Sequence, residues 1–118
     1  MFLRLPILLA AAIALSPAPA LAQAGRFLIV NNTDIDFSAV QVRPVGSNQW
    51  LPLVVKPVPV TRSGGQGNVD FNNPECAFDL QATLPDGRVV VWSRLNLCET
   101  KAVTLNRSAS GELWADYR

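Results

Sequence analysis

Apolar residues along this chain recur mostly at every second position, the period of a strand with one covered face. From residue 23 onward no stretch of ten or more keeps the 3.6-residue period of a helix. Residues 26–30 (Arg-Phe-Leu-Ile-Val) depart from alternation and predict a strand covered on both faces, ended by the turn residues Asn31-Asn32-Thr33-Asp34. Residues 35–43 predict a second strand, with Ile35, Phe37 and Ala39 on one side and Ser38, Val40 and Val42 on the other. Residues 44–48 turn the chain. Residues 50–60 are rich in valine, yet Pro52, Pro57 and Pro59 each remove a ladder donor, which predicts an edge or an irregular segment. Residues 62–68 (Arg-Ser-Gly-Gly-Gln-Gly-Asn) read as a flexible loop, without the Gly-Lys-Ser/Thr or the following helix of a phosphate loop. Residues 69–71 form a short extended piece. Residues 100–105 and 112–117 predict the last two strands, with a turn-rich connection over residues 106–111. Short strands with turn signals about every ten residues predict an all-β fold, a single-domain antiparallel β-sandwich of about seven strands.

Between these segments lies a hairpin with the chain's only two cysteines at its ends. It reads Cys76-Ala-Phe-Asp-Leu-Gln-Ala-Thr-Leu, then Pro85-Asp86-Gly87, then Arg-Val-Val-Val-Trp-Ser-Arg-Leu-Asn-Leu-Cys98. A two-residue Asp86-Gly87 turn would pair Leu84 with Val89, Ala82 with Val91 and Phe78 with Leu95. It gathers the apolar residues on one face and sets Asp79 opposite Arg94 on the other. A three-residue Pro-Asp-Gly turn with a bulge at glycine would shift that register by one. The first register is favoured, and it sets Cys76 opposite Leu97. A bridge to Cys98 then requires a bulge near Asn96, or Cys98 lying beyond the strand end.

The first residues change the picture of where such a bridge would form. Arg4 supplies one positive charge, residues 5–15 are apolar, and Ser16-Pro17-Ala18-Pro19 breaks any helix. Ala20-Leu21-Ala22 fits the small-x-small rule, which predicts a signal peptide over residues 1–22 and a β-sandwich domain over 23–118. The apolar run is far shorter than the roughly 20 residues of a membrane span. Arg4 stands alone, not as a twin arginine, and no cysteine follows the cleavage region to accept a lipid. The expected location is periplasmic or secreted, after cleavage near Ala22. In an oxidising compartment Cys76 and Cys98 are expected to form a structural disulfide. They are not Cys-x-x-Cys and lack the further ligands of a zinc site.

Charge and residue types narrow the chemistry. Without the leader the chain has nine basic and nine acidic residues, and no basic stripe marks a nucleic-acid or anionic-membrane partner. Histidine is absent, which removes Ser-His and Cys-His catalysis and histidine-bound metals. Paired carboxylates remain, Asp34 with Asp36 and Asp79 with Glu99, as the only route to acid–base work. Asp34 and Asp36 are also the only candidates for a calcium site. Both pairs read more simply as turn and strand carboxylates. No catalytic residue, metal or cofactor is expected, and the chain is read as no enzyme. Asn31-Asn32-Thr33 and Asn106-Arg107-Ser108 match the glycosylation pattern, here by chance.

A binding surface is the remaining candidate. Trp50 follows a turn, Trp114 lies on a terminal strand, and Trp92 shares a strand face with Arg94. Exposed, Trp50, Trp92, Arg94 and Trp114 would anchor a partner protein or stack a sugar. Trp92 in the core is the competing placement, favoured by the Val89-Val90-Val91 run.

The order Phe27-Leu28-Ile29-Val30-Asn31-Asn32-Thr33, Trp50, Cys76-Ala77-Phe78-Asp79-Leu80, Asp86-Gly87, Trp92, Asn96-Leu97-Cys98 resembles a group of small exported proteobacterial β proteins. The resemblance implies export and a disulfide, and supplies no activity or site residue. The expected role is binding or structural, towards an envelope or extracellular protein or a glycan. The alternatives are a periplasmic inhibitor of a cell-wall hydrolase using the loop at residues 62–68, a glycan- or calcium-binding module, and, last, a carboxylate-based hydrolase.

Overall fold

A computed structural model describes residues 24–118, and the predicted signal peptide lies outside the described residues. The apolar run at residues 26–30 belongs to β1 (Ala24–Asn32), the middle strand of a five-stranded sheet. Around it stand β4 (Val55–Lys56), β5 (Gly65–Asn73), β8 (Ala102–Arg107) and β9 (Leu113–Tyr117), in the order β4-β5-β1-β8-β9. A four-stranded sheet packs on it, built from β2 (Ala39–Pro44), β3 (Leu51–Leu53), β6 (Ala77–Thr83) and β7 (Val89–Asn96), in the order β3-β2-β6-β7. The fold is therefore the expected all-β sandwich, with seven strands of five residues or more and the two short strands β3 and β4. All neighbours are antiparallel except β1 and β8, which run parallel.

The core follows from alternation. Phe27 and Ile29 of β1, Val69 of β5, and Val103 and Leu105 of β8 face Val40 and Val42 of β2, Phe78, Leu80 and Ala82 of β6, and Trp92 and Leu95 of β7. Trp92 spans the two layers: its ring meets Phe37 edge-on at 5.7 Å, and its indole N–H donates to the Asn106 carbonyl at 3.0 Å. In the predicted second strand alternation breaks, because Ser38 and Ala39 are both exposed and Phe37 pairs separately with Val60. Phe37 thus joins Val40 and Val42 inside.

One polar side chain is fully enclosed. Asn31 at the end of β1 donates to the carbonyls of Ile35 and Val60, both at 2.9 Å. Its own oxygen accepts the Thr33 N–H and hydroxyl. Every hydrogen-bonding position of the amide is used, as burial demands. The bonds tie β1 to the turn after it and to the segment leading into β5.

That segment corrects an expectation. The glycine-rich residues 65–68 are the first half of the nine-residue β5, and of the expected loop only residues 62–64 remain outside it. A Cβ on Gly65 would run into the Thr61 backbone, and one on Gly67 into the Val55 side chain. The glycines thus mark a strand against which another segment lies too close for side chains, a use that mimics loop composition. Residues 51–56 form the predicted proline-bearing edge and serve both layers. Leu53 pairs with Val40 in the four-stranded sheet, and Val55 pairs with Val69 in the other. On the opposite side the Tyr117 hydroxyl accepts the Asn96 N–H at 3.2 Å.

The hairpin combines the two registers weighed for it. Next to the turn, Thr83 pairs with Val89 and Leu80 with Trp92, one residue away from the favoured register. Gly87, at φ 90°, donates to the Leu84 carbonyl, and Leu84 donates to that of Arg88, so Pro85-Asp86-Gly87 forms the three-residue turn. A bulge then adds a residue to β7 opposite Asp79, with Arg94 at φ 58°, and beyond it Phe78 pairs with Leu95 as first expected. The bulge lies at Arg94, not near Asn96. Cys98 lies past the end of β7 and pairs with Ala24 of the other sheet. From there it bonds to Cys76, with Cα atoms 5.0 Å apart.

Candidate functional site

The bulge at Arg94 sets up a row of side chains across the outer face of the four-stranded sheet. Alternation in β2 sends Val40 and Val42 inward and Arg43 outward, and the β2–β6 register places Arg43 beside Asp79. Trp50 directly precedes β3, whose Leu51 pairs with Val42, so its ring lies alongside Arg43. The Arg43 guanidinium carbon is 4.4 Å from the Trp50 ring centroid, a cation–π contact. Arg43 Nε donates to Asp79 Oδ2 at 3.0 Å, and Asp79 Oδ1 accepts the backbone N–H of Arg94 at 3.0 Å. Trp50, Arg43, Asp79 and Arg94 thus run in sequence from one edge of the sheet to the other. In the next row Gln81 donates to Gln41 at 2.6 Å.

Electrostatics fixes the middle of this row as an ion pair. Burial pushes the Asp79 carboxyl up, but the Arg94 N–H, the Arg43 hydrogen bond and the charges of both arginines outweigh it and hold it below the usual aspartate range. A carboxyl held low is a stable anion and a poor proton donor. Asp86 is also lowered, chiefly by the Arg88 backbone N–H, and is an exposed turn carboxylate.

The four aromatic and basic residues singled out from sequence do not form one surface. Trp50 and Arg94 share the outer face of the four-stranded sheet. Trp92 is 2% exposed and belongs to the core, because the bulge begins only after it and Trp92 still alternates inward with Leu80. Trp114 is 47% exposed but stands on β9, in the opposite sheet. Arg43, which the sequence reading passed over, links Trp50 to Asp79. Alternation with Val40 and Val42 marked it as outward, but only the pairing of β2 with β6 shows its partner.

The other candidates are dispersed. Asp36 accepts the Arg62 N–H at 2.9 Å, while Asp34 lies 3.7 Å from Arg107, so the two carboxylates have separate partners. Among the described residues no three His, Cys, Asp or Glu side chains are grouped to hold a metal. The asparagines of both glycosylation patterns are buried, Asn31 completely, and Asn106 accepts from Asn32 at 2.6 Å while donating to Asp116 at 3.0 Å. The segment expected to be a free loop is held down: Arg62 by Asp36, Ser63 by the Thr33 carbonyl and Gly64 by the Asn31 carbonyl.

No family model, curated protein or solved structure matches the chain. Among the described residues no helix is long and apolar enough to cross a membrane. A disulfide in a small β domain is compatible with an oxidising, exported location.

Proposed function

We propose that the chain is an exported binding module without catalysis of its own, acting in the periplasm or outside the cell after cleavage near Ala22. Its contact surface is the outer face of the four-stranded sheet, with Trp50, Arg43 and Arg94 as anchors, and its partner is an envelope or extracellular protein. The observation that carries this reading is the Trp50–Arg43–Asp79 chain of contacts. Tryptophan and arginine supply a large share of binding energy at protein interfaces. Here they are held in place before any partner arrives, which lowers the entropy lost on binding. A protein is favoured over a sugar because Arg43 already occupies one face of the indole, the surface on which a sugar ring would stack. The absence of histidine and the anionic state of Asp79 support a role without catalysis.

Photo-crosslinking in cells that export the full chain tests the surface. A benzophenone side chain at position 50 or 94 should give one shared, discrete adduct, and a control at the exposed turn residue Ala109 should not. Adducts of equal yield from all three positions, or none from 50 and 94, would reject it. Trp fluorescence titrated with soluble oligosaccharides separates the glycan alternative: saturable quenching that Trp50→Ala abolishes would assign a sugar instead.

A further inference from the structure

A second feature lies on the opposite side of the molecule, on the outer face of the five-stranded sheet. Lys56 of β4 pairs with Asn68 of β5, Asn68 with Leu28 of β1, and Leu28 with Ala102 of β8. Asn68 and Leu28, shorter than the lysine and arginine side chains around them, lie between Lys56 and β8 and leave a trough. Arg26 and Asp70 stand one row along, Val54 flanks it at the sheet edge, and Lys101 closes it where β8 begins. The groove is open to solvent and has a volume of about 460 Å³, within the range of small-ligand sites.

Its charge is unbalanced. Three cations, Arg26, Lys56 and Lys101, line it against one carboxylate, Asp70. Asp70 is 3.6 Å from Arg26, both side chains being largely exposed. Among the described residues neither lysine has an ion-pair partner. This local excess occurs in a domain whose basic and acidic residues balance overall. Lys56 and Lys101 flank the trough from strands three spacings apart, about 14 Å. Between them the lining is largely apolar, with Leu28 half-buried and Val54 63% exposed.

We propose that this groove binds a small amphipathic anion. Its carboxylate or phosphate group is attracted by the combined charge of Lys56, Lys101 and Arg26, and its apolar body lies over Leu28 and against Val54. Three cations beside an apolar floor suit one anionic head with an apolar tail better than a polyanion, which would track a longer basic stripe. The lysine stems add apolar cover on either side. The site is independent of the Trp50 face, and neither proposal depends on the other.

The test titrates octanoate and octyl phosphate into the isolated protein at low and raised salt, followed by amide chemical shifts. Octyl glucoside is the uncharged match and inorganic phosphate the head alone. Both octyl anions should saturate, with shifts centred on Leu28, Asn68 and Lys101. Affinity should fall at least tenfold in Lys56→Gln/Lys101→Gln and fall again with salt. Octyl glucoside should bind at least tenfold more weakly than either anion. Val54→Asp, which adds an acid at the rim, should weaken binding likewise and serves as the second variant should the lysine pair disturb folding. Failure of both anions to saturate, equal binding of octyl glucoside, or wild-type affinity in the folded variants would overturn the site. Co-sedimentation with phosphatidylglycerol vesicles distinguishes the source. Binding of dissolved anions alone assigns a free ligand, and binding of both assigns a lipid head group. Vesicle binding without binding of either octyl anion overturns the groove.

Discussion

The carboxylate of Asp79 receives the backbone N–H of Arg94 across the bulge of the hairpin, at 3.0 Å, while Arg43 reaches its other oxygen at the same distance. One nearly buried carboxylate therefore satisfies the donor that the extra residue in β7 would leave unpaired, and joins three neighbouring strands. Asp79→Ala removes both acceptors and should cost about 2 kcal/mol in urea unfolding, since a part-buried N–H loses its partner and a half-buried guanidinium its counter-charge. Asp79→Asn keeps an oxygen for the Arg94 N–H and should cost about half as much. Equal losses from the two variants would show that the bond to the bulge carries none of the stability.

The same group sets a pH dependence. Its carboxyl is held below the ordinary aspartate range in the folded chain, so its contribution is complete above that range, about pH 4. It is lost as pH falls further, through the folded value, because the unfolded chain takes up the proton first. The stability difference between the natural protein and Asp79→Asn should be constant from neutral pH down to about pH 5 and shrink below about pH 4. A gap that stayed constant at lower pH would separate the stability of this site from ionisation of Asp79.

Arg94 itself occupies a backbone region that favours glycine, at φ 58°. Arg94→Gly should leave stability unchanged or raise it by up to about 1 kcal/mol, because relief of the conformation offsets the added freedom of the unfolded chain. Arg94→Val should cost about 1–3 kcal/mol, as a β-branched side chain fits that region worst. Thermal unfolding of both variants checks the order. Valine tolerated as well as glycine would mean that β7 regains its register without the bulge.

Much of this architecture was legible because it is local. Alternation located most of the strands, and the prolines at 52, 57 and 59 marked the edge. Trp92 is covered as weighed, but not because the valine run before it is, since β7 is an edge strand and Val89 is 50% exposed. The features that escaped depend on contacts between distant segments. Gly65 and Gly67 read as loop until Thr61 and Val55 are seen against them. The bulge absorbs a register shift between the turn and the far end of the hairpin, which shows only when Asp79 and Arg94 are considered together. Cys98, by contrast, reaches Cys76 from past the end of β7, one of the two routes expected for it. Arg43 gained its role from the order of β2 and β6, and the basic groove gathers residues 26, 56 and 101 from three separate strands or strand ends. Strand existence is encoded by neighbours in the chain, whereas a surface is encoded by strand order.

Asn31 gives the sharpest test of how the two halves of the fold are held together. Its amide donates to Ile35 and Val60, and its oxygen accepts twice from Thr33, all in the interior. Asn31→Ala removes all four bonds and leaves the Thr33 N–H without its acceptor, while the Ile35 carbonyl keeps the Thr33 hydroxyl and the Val60 carbonyl the Phe37 N–H; it should cost about 3 kcal/mol. Asn32→Ala, next to it but on the exposed face, loses one bond to Asn106 and should cost about 1 kcal/mol or less. The difference should also be regional. The Gly64 N–H donates to the Asn31 carbonyl and the Ser63 N–H to that of Thr33, so in Asn31→Ala both amides should exchange faster than those of β6. Equal protection of residues 63 and 64 in the two variants would show that the segment entering β5 is held by its own strand pairing. Faster exchange confined to that segment would identify Asn31 as the tie between β1 and the edge it anchors.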